Sequence, residues 1–327
     1  MRIFLTGASG FVGSHVLDSL LDAGHEVAVL LRRTSNTRFI SRHLAQVSVH
    51  YGSLGDQKVL KTAMTGCDAA VHCAGLIKAL DATEFFRVNQ SGTRCVVLAA
   101  NASRDSLRHL IYISSLAVSG PGVPGRPAEE DPEPRPVTVY GESKRLGEIE
   151  IRQGSRVPWT ILRPAAVYGP RDQEFLPVFQ NIKRRFMPLL SGAKRRLNMI
   201  YGPDVAAAVL CSLAADQAAG KTYHLAAQPP CTDEEFMEEI ARSLDVRPFR
   251  VRIPRAGLYL ACAIQEFKST LTGRPSLLCR QKMPELLAPG WVCDTDKILR
   301  ELGFAAPTSL KEGVARTAKW YQREGWL

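Results

Sequence analysis

The first 23 residues constrain the fold more than any other part of the chain. Arg2-Ile3-Phe4-Leu5-Thr6 is a short apolar run of strand character. It passes directly into Gly7-Ala8-Ser9-Gly10-Phe11-Val12-Gly13, and an amphipathic stretch then continues to Ala23. Three glycines spaced in this way between a strand and a helix have separate physical uses. Gly7 permits a tight turn, Gly10 lets the backbone approach a pyrophosphate, and Gly13 lets the helix pack closely on the strand. The helix N-terminus then presents unsatisfied N–H groups to an anion. A glycine triplet alone is an ordinary turn, but with a strand before it and a helix after it the pattern becomes a dinucleotide-binding signature. Residues Gly7, Ser9, Gly10, Phe11, Val12 and Gly13 are therefore expected at the phosphates.

The rest of the N-terminal half repeats the alternation. Apolar runs recur at Glu26–Leu31, Val47–Tyr51, Ala69–Cys73, His109–Ser114 and Trp159–Leu162, with amphipathic stretches such as Phe11–Ala23 and Glu84–Ala100 between them. This order predicts an α/β protein with a doubly wound parallel sheet of the Rossmann type. A length of 327 residues leaves room for a second unit. Residues 1–165 are read as the dinucleotide-binding domain, with segments near 198–228 returning to it. Residues 166–327 are read as mainly a smaller α+β substrate-binding domain. Pro121–Pro136 is dense in Pro and Gly and predicts an irregular loop just ahead of the next helix.

Composition narrows the partners. The formal net charge is +10, but the basic residues are dispersed. They form short clusters at Arg32-Arg33, Lys183-Arg184-Arg185 and Lys194-Arg195-Arg196 without interleaved aromatics. That pattern argues against nucleic acid and in favour of a phosphate-bearing small molecule. The longest apolar stretches fall short of the ~20 residues that a membrane span needs. The eight cysteines show no C-x-x-C spacing, so neither a metal site nor a redox pair is expected. The chain opens directly as a strand with no charged-then-apolar leader, and the expected setting is the cytoplasm with reduced thiols.

The end of the second strand bears on the cofactor. An NAD site places Asp or Glu there, about 20 residues past the glycines, to bind the adenosine ribose. This chain reads Leu30-Leu31-Arg32-Arg33-Thr34-Ser35. Two guanidinium groups and no carboxylate suit a 2′-phosphate, so NADP(H) is preferred over NAD(H).

Tyr140-Gly141-Glu142-Ser143-Lys144 places a phenol and an ammonium at i and i+4, neighbours on one helix face. A free phenol, with a pKa of ~10, is a poor base near neutrality. An ammonium ~4 Å away is worth up to ~4 kcal/mol at an effective dielectric of ~20. That would lower the phenol by about three units, into the range useful for proton transfer. Ser115 follows the strand His109–Ser114, at the carboxyl edge where open α/β sheets bind ligands. It is read as the hydroxyl that holds the substrate oxygen, and Ser114 as a turn cap.

With these motifs in place, the chain resembles an extended short-chain dehydrogenase/reductase of the NAD-dependent epimerase/dehydratase superfamily over nearly its whole length. The likeness rests on Thr6–Gly13, Val71-His72-Cys73-Ala74-Gly75, Val88-Asn89-Gln90-Ser91-Gly92-Thr93, Ser114-Ser115, Tyr140-x-x-x-Lys144, Arg163–Pro170 and Asp204-Val205-Ala206. It implies that Tyr140 is the acid/base, that Lys144 binds the nicotinamide ribose and lowers the Tyr140 pKa, and that Ser115 polarises the substrate oxygen. Cys73, Ala74, Gly75 and Asn89 would lie on the cofactor side, with Pro164 and Val167 near the nicotinamide. A homodimer built on the helices near Glu84–Ala100 and Tyr140–Arg152 is also implied.

The chain departs from the family pattern at three places. Ser53, followed by Leu54, stands where an Asp often holds the adenine, so one contact there is weakened. Leu197 stands where sugar-nucleotide members commonly carry a phosphate-binding Arg, although Arg195 and Arg196 are adjacent. Nothing explains Tyr201 in place of the usual His. The apolar segment Ala256–Ile264, continued by Phe267 and Leu271, could roof an apolar pocket if helical or could pack the core of the small domain. The resemblance therefore points to the branch holding dihydroflavonol reductases and 3β-hydroxysteroid dehydrogenases. The expected reaction is NADP(H)-dependent interconversion of a secondary alcohol and a ketone on a fairly apolar small molecule. The alternatives are a nucleotide-sugar epimerase, dehydratase or reductase with tightly held NAD(P), and a dinucleotide-binding protein without turnover.

Overall fold

In the computed structural model, residues 1–130, 133–191, 195–273, 276 and 279–327 are described. The apolar runs of the N-terminal half are strands and the stretches between them are helices. They run β1 (Arg2–Thr6), α1 (Phe11–Asp22), β2 (Glu26–Leu31), β3 (Ser48–Tyr51), α2 (Gln57–Met64), β4 (Ala69–His72), α3 (Ala82–Phe85), α4 (Gly92–Ala102), β5 (His109–Ile113), α5 (Val139–Gly154) and β6 (Trp159–Pro164). The chain continues through β7 (Ala166–Tyr168), α6 (Leu176–Lys183), β8 (Phe186–Leu190), β9 (Arg196–Leu197), β10 (Met199–Tyr201), α7 (Gly202–Leu213) and β11 (Lys221–Leu225). It ends with β12 (Cys231–Thr232), α8 (Asp233–Ser243), β13 (Phe249–Ile253), α9 (Arg255–Thr272), α10 (Met283–Leu286), β14 (Gly290–Trp291), α11 (Asp296–Leu302) and α12 (Leu310–Arg323).

Seven strands form one parallel sheet in the order β11-β6-β5-β4-β1-β2-β3. The chain leaves β1 toward β2 and β3, then crosses back to β4 on the other side of β1. That reversal opens a crevice at the carboxyl ends of β1 and β4, where such sheets bind ligands. Both faces are covered, which is why the strands read as continuous apolar runs. Ile3 and Leu5 point into a core with Val16, Leu20 and Val209 beneath α1 and α7, while Phe4 points into a second core with Leu60, Val96 and Ile151 beneath α2, α4 and α5. A later part of the chain completes the sheet. β11 pairs with β6 from Lys221↔Thr160 to Leu225↔Pro164, and α7 packs along α1.

The remaining residues build a smaller α+β layer. Phe236 of α8 meets Tyr168 and Phe175 edge-on, at 5.6 and 5.3 Å between centroids. Phe179 meets Tyr321 of α12 in the same way at 5.0 Å. The stretch 84–100 is not one regular helix as its pattern suggested, because Phe86–Ser91 forms a turn of π-helix between α3 and α4. The expected loop 121–136 is largely irregular and is pinned by bridges from Val123 to Arg126 and from Ala128 to Cys293. Its residues 131 and 132, and Lys194 of the third basic cluster, lie outside the described residues.

Candidate active site

The glycine turn has a geometry that no other residue fits. Gly7 has φ +76°, and a Cβ there would lie 2.6 Å from the backbone nitrogen of Ala74. A Cβ on Gly13 would lie 2.1 Å from the Gly7 carbonyl oxygen. The turn is thus pressed between the loop after β4 and the first turn of α1. Gly10 caps α1 with no side-chain hydrogen bond, and the first turn carries no acidic residue. Its N–H groups are left for an anion. Phe11 and Val12 point the other way: Phe11 meets His15 edge-on at 5.6 Å, and Val12 packs on the core beneath α1.

The loop after β4 is held by a chain of buried hydrogen bonds. The Ala74 N–H donates to Thr6 Oγ1 at 3.2 Å, and Thr6 Oγ1 lies 2.7 Å from His72 Nδ1. On the other side of the ring, His72 Nε2 is 3.0 Å from Thr93 Oγ1, which itself donates to the Asn89 carbonyl at 2.7 Å. Each hydroxyl has one proton to give. The Thr93 proton is already given to Asn89, so His72 must donate from Nε2, and in its neutral form it accepts from Thr6 on Nδ1. Burial and the nearby Lys144 charge push His72 down to about 3, which keeps it neutral. The π-turn brings Asn89 inward, where Oδ1 accepts from the Leu76 N–H at 2.7 Å and Nδ2 donates to the Leu76 carbonyl and to Ser143 Oγ, both at 2.9 Å. Asn89 thereby ties the loop Cys73–Leu76 to α5. Gly75 completes this wall, since a Cβ there would stand 3.3 Å from Asn89 Oδ1 and 3.6 Å from Lys144 Nζ.

α5 carries Tyr140 and Lys144. It begins at Thr138, whose hydroxyl accepts from the Gly141 N–H at 3.1 Å. The structure brings the Ser115 side chain beside the phenol, whose pKa it pulls down. It also moves the capping role from Ser114 to Ser115. Ser115 Oγ caps the turn after β5 by accepting from the Ala117 N–H at 3.1 Å, while Ser114 Oγ donates to buried Glu148 at 2.6 Å. Ser114 is thus part of a charged network and not a cap.

A second correction concerns Lys144. Its Nζ donates to the Ile113 carbonyl at 2.7 Å and lies 4.2 Å from the centroid of the Tyr112 ring. The ammonium is committed to the end of β5 and not to the phenol. Burial lowers Lys144 to about 8. Tyr140 is pushed up to about 12 by burial, against the Ser115 hydrogen bond, which pulls it down. The expected lowering of the phenol is therefore not produced by the chain's own groups. The i, i+4 spacing sets neighbouring Cβ atoms, but a lysine of this length reaches a stronger partner at the strand end.

Glu148 is one turn beyond Lys144. It forms a bidentate pair with fully buried Arg163, at 2.8 and 2.7 Å. Arg163 also donates to Ser119 Oγ at 2.9 Å, and Ser119 in turn meets His224 Nε2 at 2.7 Å. This network underlies α5 and joins β6 to β11. Sequence reasoning missed it, although Glu148 at i+4 from Lys144 was the available signal. Lys282, which stands 5.0 Å from the Tyr140 ring centroid, had no local signal.

The other expected residues also border the carboxyl edge of the sheet. Arg32 and Arg33 follow β2 and are exposed, with Arg33 lying 5.4 Å over the ring of Tyr51. Ser53 and Leu54 follow β3, and Leu54 fills the space against Gly92. Pro164 ends β6 in register with Leu225, and Val167 lies on β7 opposite Ile200. Tyr140 lines a recess together with residues that include Ile77, Phe85, Val139, Cys279, Gln281 and Lys282. None of its lining residues belongs to α9, so the segment expected to roof the pocket contributes only through the residues after it. No cluster of three potential metal ligands occurs among the described residues. All eight cysteines are free.

Comparison with known proteins agrees with this geometry. The model of the NAD dependent epimerase/dehydratase family matches residues 3–226. A ceramide reductase of Caulobacter vibrioides is 32% identical over 326 residues, covering 99% of this chain and 96% of that protein. A 4-hydroxy-2-methyl-3-oxo-4-farnesyl-3,4-dihydroquinoline-1-oxide ketoreductase of Stigmatella aurantiaca is 28% identical, covering 96% of this chain and 95% of its own. The crystal structure of a Thermotoga maritima UDP-glucose 4-epimerase superposes with a TM-score of 0.81 at 18% identity over 99% of both chains, a likeness of fold alone. This chain belongs to the NAD-dependent epimerase/dehydratase family and is an NAD(P)-dependent enzyme of the extended short-chain dehydrogenase/reductase type.

Proposed function

We propose that the protein reduces a ketone to a secondary alcohol, reversibly and with NADP(H), on a largely apolar substrate. The observation that carries this reading is Tyr140, with the Ser115 side chain beside it, on a recess walled by Ile77, Ala79, Phe85 and Val139. A phenol held at about 12 is protonated at neutral pH, which makes it ready to give a proton to a carbonyl oxygen that is gaining negative charge. The names of the two relatives, a ceramide reductase and a farnesyl-bearing ketoreductase, support the same chemistry on apolar chains.

The turn at Gly7–Gly13 fits a pyrophosphate, because its uncapped helix N-terminus and missing side chains leave an anion-sized approach. Gly75 and Lys144 would form the wall on the nicotinamide side, and Arg32 with Arg33 would hold a 2′-phosphate. When bound, the reduced cofactor supplies a hydride to the carbonyl carbon. Ser115 donates a hydrogen bond that orients the substrate oxygen, and Tyr140 gives its Oη proton to that oxygen, so that C=O becomes CH–OH. Tyr140 regains a proton before the next turnover. Lys144 would hold the ribose.

The nucleotide-sugar alternative is less well supported. Arg195 is engaged with Asp233, at 3.1 and 2.6 Å, and Arg196 with the Pro230 carbonyl at 3.0 Å. Neither guanidinium replaces the phosphate ligand absent at Leu197. The test is NADPH oxidation by purified protein against long-chain keto-lipids, ketosteroids, flavanonols and nucleotide sugars. Net consumption of NADPH with the apolar ketones is expected. Conversion of a nucleotide sugar without net cofactor consumption would overturn the reading. Tyr140→Phe should lower kcat for the ketone by at least about 100-fold while the cofactor Kd changes little, and an active variant would remove Tyr140 from the proton transfer.

A further inference from the structure

Helix α9 is apolar on two opposite faces. Leu258 and Cys262 are buried and pack with Met283, Leu190 and Leu286. On the far side, Leu260, Ile264, Phe267 and Leu271 follow a 4-3-4 spacing, which at 100° per residue confines them to a stripe of about 60°. They are 63, 49, 66 and 71% exposed. A water-facing helix surface normally carries polar residues there. Lys268 stands beside the stripe, exposed Arg255 begins the helix on another side, and Arg247 and Arg252 are exposed just before and within the strand that leads into it. Between Val246 and Lys282 the sequence holds eight basic residues and one acidic residue, Glu266, in a chain whose net charge is +10. Three of the eight are held by carboxylates, Arg250 by Glu234 and Glu238, Arg280 by Glu266 and Lys282 by Glu285, and the local excess rests on exposed Arg247, Arg252, Arg255 and Lys268. No helix among the described residues is long and apolar enough to cross a membrane.

We propose that α9 lies on the surface of an anionic lipid bilayer, with the Leu260–Ile264–Phe267–Leu271 stripe inserted at the boundary between headgroups and acyl chains and the surrounding arginines and lysines on lipid phosphates. An apolar stripe flanked by cations is the pattern of an interfacial helix, and its two contributions, burial of apolar area and attraction to anionic lipid, add. The same spacing could seat a second copy of the helix. That pairing would set cations against cations, whereas a stable helix pair places opposite charges beside its seam. The recess beside Tyr140 is lined in part by Cys279, Gln281 and Lys282, close after α9 in sequence. Docking through α9 would hold that lining near the bilayer.

The test is co-sedimentation of the full-length protein with phosphatidylcholine vesicles and with vesicles containing 30% phosphatidylglycerol, with the oligomeric mass followed by light scattering. The wild-type protein should bind the anionic vesicles and be largely released when salt is raised from ~0.1 to ~1 M, as the screening length falls from ~10 to ~3 Å. Ile264→Ser with Phe267→Ser should lower the partition coefficient at least tenfold without changing mass or the turnover of a water-soluble ketone. Arg255→Glu with Lys268→Glu should do the same on anionic vesicles only. Wild-type protein that stays in the supernatant, or a serine variant that binds equally well, overturns the proposal. So does loss of a dimer in the serine variant without vesicle binding by either form, which would make the stripe a contact between copies. Vesicle binding is read without turnover, so its failure leaves the proposed reaction untouched.

Discussion

Lys144 offers a quantitative test of how this site is built. Its ammonium is buried, and burial lowers its pKa from 10.5 to about 8 even with the Ile113 carbonyl and the Tyr112 ring beside it. At ~1.4 kcal/mol per tenfold change in proton affinity, the fall from 10.5 to about 8 corresponds to roughly 3 kcal/mol. The sign follows from linkage. The unfolded chain holds this proton more tightly, so unfolding free energy rises with pH between about 8 and 10.5, and below 8 the full penalty for burying the charge is present. Lys144→Met keeps most of the side-chain volume and removes the titration. The stability of the wild-type protein relative to the variant should therefore rise by about 3 kcal/mol between pH 7.5 and 10.5. Groups remote from Lys144 are common to both proteins and cancel in the difference, and His72 and Cys73, which feel its charge, are held un-ionised near neutrality chiefly by burial. Urea unfolding followed by circular dichroism at several pH values measures it, and turnover should be lost in the variant throughout. Parallel curves for the two proteins would refute the argument, because they would show that the lysine is as well solvated in the native state as in the unfolded one.

Replacing Arg32 and Arg33 together with Ala should weaken NADPH by about 10- to 100-fold, from the loss of charge-assisted contacts, and leave NADH nearly unchanged. Equal losses in a fluorescence titration would remove both residues from the 2′-phosphate. Gly13→Ala should raise the Kd for either cofactor at least tenfold, because the new methyl would lie 2.1 Å from the Gly7 carbonyl oxygen and the turn must open. Unchanged binding would show slack in that turn. Glu148→Gln leaves Arg163 buried without its counter-charge, which should cost about 3–5 kcal/mol of stability in denaturant unfolding. A loss below ~1 kcal/mol would mean that Ser119 and the Glu130 carbonyl, which accepts from Arg163 at 3.2 Å, suffice to hold the guanidinium.

What the chain declares locally, it declares clearly. Thr6 to Gly13 identifies the dinucleotide turn because its backbone conformations depend on residues a few positions apart. The alternation of apolar runs identifies the doubly wound sheet because each strand must be apolar on both covered faces. From these two readings it follows that residues 7–13, 32–33, 53–54, 73–75, 115 and 164 end on one edge, since parallel strands place all their carboxyl ends together. Tertiary structure decided the rest. Lys144 turns to Ile113 and not to Tyr140, Ser115 caps a turn while Ser114 joins a buried carboxylate, and Asn89 rises on a π-turn to clamp a loop across the crevice. Lys282 arrives at the phenol from the far end of the chain, and α9 keeps an apolar stripe exposed where its pattern alone would bury it. Spacing along a helix or strand sets where a side chain starts. Its hydrogen-bond partner, the charge it feels and the water it loses depend on residues distant in sequence, and those settle whether a tyrosine keeps its proton.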